Sequence, residues 1–117
     1  MKRSLSYYLK NSKVLIFCSL LMAGCGDQTL YYWDNYDDIV YEYYTDGQPT
    51  EAIEKMETIR IAAQEQSKPL PPTFYAHLSL LYQQVGEGEK FQSLIKEETK
   101  AHPEMTGYSE FLLKGVR

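Results

Sequence analysis

Apolar and polar positions along this chain fall into five blocks, each with the recurrence of an amphipathic helix and each closed by a turn or breaker. In residues 30–45, Tyr32, Tyr36, Ile39 and Tyr43 recur at i, i+4, i+7 and i+11, and Trp33, Val40 and Tyr44 widen the stripe. One helix is predicted there despite the strand preference of tyrosine, because strict alternation is absent. Asp46-Gly47 ends the block, and Pro49 suits the first turn of a second helix, where Glu51, Glu54 and Glu57 favour the positive end of its dipole. Ala52, Ile53, Met56, Ile59 and Ala63 make its buried face, and it should run to about Gln66. Lys68-Pro69-Leu70-Pro71-Pro72 cannot continue a helix and should be extended.

Phe74, Tyr75, Leu78, Leu81, Tyr82 and Val85 define a third helix, and Gly86-Glu87-Gly88 turns the chain. Phe91, Leu94, Ile95 and the aliphatic stem of Lys90 or Glu98 define a fourth, ending near Ala101. Pro103 separates it from a last helix carrying Tyr108, Phe111 and Leu112. Five helices and no convincing strand predict an all-α domain. Tyr75, Leu78, Tyr82, Phe91 and Ile95 are expected to be buried together in one hairpin.

The third and fourth helices form a unit of about 34 residues between Pro72 and Pro103. Tyr75, Leu78, Ser79 and Tyr82 fall where a tetratricopeptide repeat has its aromatic, leucine, small residue and tyrosine, and Ile95 is also in register. Phe91 departs, because a small residue is usual there. An earlier unit, around Trp33 to Gln66, matches at Trp33, Tyr36, Tyr43 and Ala52 but has Val40 where the small residue belongs. The alternative is a pair of generic helical hairpins. Either way the expected architecture is two helix-turn-helix units, similar to tetratricopeptide repeats, with the last helix as a cap.

Ahead of the helices, Lys2, Arg3, Lys10 and Lys13 form a basic region without an acid, followed by an apolar run from Val14 to Met22 broken only by Ser19. The run is short of the roughly 20 apolar residues that cross a bilayer. It has the layout of a secretory leader, predicted over residues 1–24. Met22-Ala23-Gly24-Cys25 resembles the bacterial lipobox, with Met22 at a position where leucine is usual. The resemblance implies cleavage after Gly24 and acylation of Cys25. Gly26 follows, with no aspartate in that second position, which implies sorting to the outer membrane. Residues 25–30 would be a lipidated tether and 31–117 the helical domain. Five residues beyond Cys25 reach at most about 17 Å, so the domain should hug the membrane.

Removing the leader changes the charge picture. All sixteen acids lie after it and four of the twelve bases lie within it, which leaves eight bases against sixteen acids, a net charge of −8. Such a surface is repelled by nucleic acid. Cys18 leaves with the leader, so no disulfide can form within the mature chain.

The lipobox, Tyr31-Tyr32-Trp33, Pro71-Pro72-Thr73-Phe74-Tyr75-Ala76-His77-Leu78, Leu80-Leu81-Tyr82 and Pro103-Glu104 through Phe111-Leu112-Leu113-Lys114 together resemble a family. The chain is similar to the small bacterial lipoproteins of domain of unknown function 4810, which have no established activity. Their genes typically lie beside one for a lipoprotein similar to the curli-secretion pore subunit and one for another small lipoprotein. The resemblance therefore implies an envelope complex.

Signals for catalysis are thin. His77 and His102 are the only histidines, on different predicted elements, and no cysteine is available to complete a metal site. His77 is expected to be partly exposed, and His102 to sit at a helix end against the last carbonyls. Asp34, Asp37, Asp38 and Glu42 lack the spacing and central glycine of a calcium loop. On a helix, Asp34, Asp38 and Glu42 would line a solvated face. No nucleophile elbow, phosphate loop or zinc-protease motif occurs. No enzyme, cofactor or metal is expected.

What remains is surface. Tyr31 and Tyr41 fall outside the main stripe, and Tyr31, Tyr32, Trp33 and Tyr41 are the candidate binding residues, unless these rings simply pack the first unit. The leading expectation is an outer-membrane lipoprotein that acts as a protein-binding adaptor at the periplasmic face, with other lipoproteins as partners. Regulation of a cell-wall synthesis enzyme is the alternative, which the short tether disfavours.

Overall fold

The computed structural model describes residues 29–115. The leader and the lipobox residues Met22, Ala23, Gly24, Cys25 and Gly26 lie outside the described residues. Among those described there are five α-helices and no strand: α1 Tyr36–Asp46, α2 Pro49–Glu65, α3 Phe74–Gln84, α4 Gly88–Ala101 and α5 Thr106–Gly115. A 3-10 turn, Pro103–Met105, joins α4 to α5. The all-α expectation holds.

The first helix begins later than its apolar stripe. Tyr31 to Asn35 are not helical. Asp34 sits at φ 44°, in the left-handed region that aspartate tolerates better than most residues, and turns the chain into α1. Tyr32 donates its N–H to the Pro69 carbonyl at 2.8 Å, and the Tyr31 ring packs edge-on against His102 at 5.7 Å between centroids. The segment is therefore a strap held by later parts of the chain. A periodicity count cannot separate such a strap from a helical turn when three consecutive positions are aromatic. Asp34 leaves the acidic helix face as a result.

Gly47 lets α1 turn into α2. Its N–H bonds to the Tyr43 carbonyl at 3.2 Å, and a Cβ at this position would lie 2.4 Å from the Tyr43 Cα. Pro49 then occupies the first turn of α2, as predicted. At the other end of α2, Ser67 adopts φ 52°. The Lys68 N–H reaches Ala63 and the Ser67 N–H reaches Gln64, at 3.0 and 3.1 Å, which is a Schellman closure with serine where glycine is usual.

Consecutive helices pack against one another down the chain. Tyr36, Ile39, Ala52, Met56, Ile59, Ala63, Phe74, Leu78 and Leu81 make the larger core, between α1, α2 and α3. Ala76, Phe91, Ile95 and Leu112 make a smaller one between α3, α4 and α5. The five residues expected in one hairpin are thus divided. Leu78 and Tyr82 belong to the first core and Phe91 and Ile95 to the second, while Tyr75 is half-buried at the edge of the first. Phe91 fits at a position where a small residue was expected because Ala76, wholly buried in the same cluster, supplies the space from α3.

Glu98 is also buried, and its carboxylate does more than pack its stem. It accepts hydrogen bonds from the N–H groups of Thr73 at 2.6 Å and Ala76 at 3.2 Å. The Ala76 N–H is a donor of the first turn of α3 and Thr73 immediately precedes that turn, which has no side-chain cap of its own. A negative group there also suits the helix dipole. The residue before α3, Thr73, is held at φ 75°, a conformation unfavourable for a β-branched side chain.

Candidate functional site

Two hydrogen bonds tie α1 to α3. The Tyr36 hydroxyl bonds Nδ1 of His77, and the Tyr43 hydroxyl donates to Oε1 of Gln84 at 2.6 Å. Both pairs are separated by 41 residues, so the two helices run parallel with fixed register. A cleft of about 490 Å³ opens beside this seam. One wall carries Trp33, Asp37, Tyr41 and Tyr44, and the other carries Pro72, Thr73 and His77, with Tyr36 and Val40 between them. A narrower pocket of about 100 Å³ continues it, lined by Val40, Tyr44, His77, Leu80 and Gln84 among others.

The local pattern explains why these rings stay outside. Tyr36, Ile39 and Tyr43 use the face of α1 that meets α2 and α3, and Asp37, Tyr41 and Tyr44 follow about 100° round the helix. Tyr41 and Tyr44 are each 72% exposed, and Trp33 is 39% exposed. Large apolar side chains are rarely left out so near to one another without a partner surface.

The four sequence candidates therefore divide. Trp33 and Tyr41 line the cleft. Tyr31 instead packs against His102 and Trp33, and Tyr32 packs on the larger core while its hydroxyl donates to Asp34 at 3.3 Å. Tyr44, Val40, Pro72 and His77 were not singled out as binding residues. Tyr44 widens the apolar stripe in the sequence, but it lies about 80° round the helix from Tyr36 and stays exposed. His77 and Pro72 come from a different element, and only tertiary packing brings them to α1.

Burial pushes the Tyr36 hydroxyl up to about 12, so it keeps its proton and acts as the donor to His77. Desolvation lowers the His77 pKa below its ordinary value, with the Glu98 charge opposing, so the ring is neutral and accepts at Nδ1. His77 is half-buried, as expected, and it is part of the groove wall. Among the described residues no cluster of histidine, cysteine, aspartate or glutamate could hold a metal ion. His102 is at a helix end, but it is buried and its Nε2 donates to the Leu70 carbonyl at 2.9 Å, across the α2–α3 connection and not to its own helix. Its other ring nitrogen lies 3.4 Å from Glu104. The two histidines serve separate contacts. Asp38 and Glu42 are exposed, and Glu42 pairs with Lys55 at 2.7 Å.

A family model described as Domain of unknown function (DUF4810) matches residues 30–112, and the chain belongs to this family. The match takes in the strap, all five helices in whole or part, and every residue of the groove. No curated protein and no solved structure matches the chain.

Proposed function

We propose that this protein is a non-enzymatic lipoprotein of the outer membrane, an adaptor whose α1–α3 groove docks a protein partner at the periplasmic face. The observation that carries the reading is the exposure of Trp33, Tyr41 and Tyr44 along one open cleft. Aromatic side chains of this kind are enriched at the energetic centres of protein interfaces. The pairwise packing of consecutive helices and the parallel seam of α1 and α3 support a tetratricopeptide-like arrangement, with α5 as the cap. The lipobox at Met22-Ala23-Gly24-Cys25 supports anchoring through acylated Cys25, and Gly26 supports outer-membrane sorting. Among the described residues no helix is long and apolar enough to cross a membrane.

Partners are sought first among envelope lipoproteins, with one similar to the curli-secretion pore subunit as the leading candidate. The reading is tested with a photo-crosslinking residue placed at Tyr44 or, as a control, at Thr58, which is exposed on α2. A crosslinked partner is expected at Tyr44 and not at Thr58. Absence of a crosslink at Tyr44, or equal yield at both positions, contradicts the proposal.

A further inference from the structure

Charge is unevenly distributed along this chain, and the imbalance falls on the groove. No lysine or arginine occurs from Val14 to Glu54, a stretch that holds eight of the sixteen acids. The first base after it, Lys55, is already tied to Glu42 at 2.7 Å and Glu51 at 3.0 Å. From Met56 onward eight acids face seven bases, so the excess negative charge belongs to the α1 end of the molecule. Asp37 lies within the cleft, Asp34 and Asp38 lie beside it in sequence, and among the described residues no base lines it.

Elsewhere the protein shows what completes such a surface. Between α2, α3 and α4, Lys90 places its Nζ 4.5 Å from the centre of the Tyr82 ring, while the Tyr82 hydroxyl donates to Glu57 at 2.9 Å. Ring, carboxylate and cation form a closed set there. The groove repeats the ring and the carboxylate, in Trp33, Tyr41, Tyr44 and Asp37, and has no cation of its own.

Resting on the reading of this groove as a docking surface, we propose that it takes an arginine-bearing segment of the partner, with the guanidinium over the exposed rings and beside Asp37. A guanidinium stacks on aromatic faces and pairs with a carboxylate in one geometry, whereas an ammonium is more strongly hydrated and gains less from the rings. An acidic segment would meet repulsion along the whole of α1.

Trp33 is the sole tryptophan, so its fluorescence reports on the groove alone. The full chain in an uncharged detergent is titrated with a blocked hexapeptide of alternating arginine and glycine, and with the counterpart carrying glutamate for arginine. A saturable change is expected with the first peptide only. Its affinity should fall at least tenfold in Asp37→Asn and in Tyr44→Leu, both exposed positions whose substitution leaves helix content unchanged. Equal response to the two peptides, no saturable response to the arginine peptide, or unaltered affinity in both variants overturns the proposal. In cells, the segment crosslinked at Tyr44 should contain arginine. Capture of a neutral or acidic segment overturns the cation assignment and leaves the docking reading standing, and absence of any crosslink removes both.

Discussion

The Glu98 carboxylate satisfies two N–H groups that begin another helix, at Thr73 and Ala76. Removing it leaves both donors without a partner inside the protein, and hydrogen bonds to charged groups contribute about 1.5–3 kcal/mol each. Glu98→Ala should therefore lower stability by about 2–4 kcal/mol in urea unfolding, and Glu98→Gln by clearly less, since one acceptor oxygen survives. Equal losses in the two variants would show that packing, not capping, is what Glu98 supplies. In the sequence Glu98 reads only as a position whose stem continues an apolar face, because its partners lie 22 and 25 residues away. His77 adds a pH dependence. Its pKa is lowered by desolvation, so the unfolded chain takes up a proton near pH 6.5 while the folded chain does so only at lower pH. Its contribution is present in full above the unfolded value and is lost as pH falls through the folded one. Between about pH 7 and about pH 5, wild type should lose more stability than His77→Gln. Parallel pH curves for the two proteins would rule out His77 as a source.

Helix identity was legible from spacing and breakers for all five elements, and the boundaries of α2, α3 and α4 follow the residues that suggested them. Pro49 and the Pro69–Pro72 run fix φ and remove donors, so local chemistry alone decides those ends. The start of α1 was not legible, because the strap is set by a hydrogen bond to Pro69 and by ring packing on His102. The groove was half legible for the same reason, since Trp33 and Tyr41 stand out locally but the opposite wall comes from α3 and the two residues before it. The turn chemistry makes two expectations at this scale. Ser67 holds a left-handed conformation that costs most residues about 1–2 kcal/mol, and it is exposed, so Ser67→Gly should raise stability by about 1 kcal/mol. Gly47→Ala should lower it, because the new methyl meets the α1 backbone. Thermal unfolding of the two variants checks both signs. Leu78, wholly buried, should cost about 2–5 kcal/mol on substitution by alanine, in line with other large-to-small core changes. A loss within experimental error would contradict the packing of α3 between its neighbours.

At the scale of the whole molecule, the strap is the part of the described fold that follows the proposed anchor in sequence. Tyr31 packs on His102 at the α4–α5 junction, and Cys25, the proposed acylation site, precedes it by six residues in sequence. Cys25→Ala should abolish acyl labelling and leave an uncleaved precursor in the inner membrane, whereas normal processing to a soluble form would refute the lipobox reading. Gly26→Asp should shift the protein from outer to inner membrane on fractionation, and an unchanged distribution would deny Gly26 a role in sorting. Under the proposed function, a protein with its anchor intact binds its partner through the exposed rings. Docking through the exposed rings is tested by solubilising the wild type and a Tyr41→Ala, Tyr44→Ala double variant from membranes in mild detergent and measuring the mass of the particle that carries each. A docked partner makes the wild-type particle heavier than the lone chain with its detergent, and the variant should run as the lone chain with unchanged helix content. Equal masses for the two would contradict it.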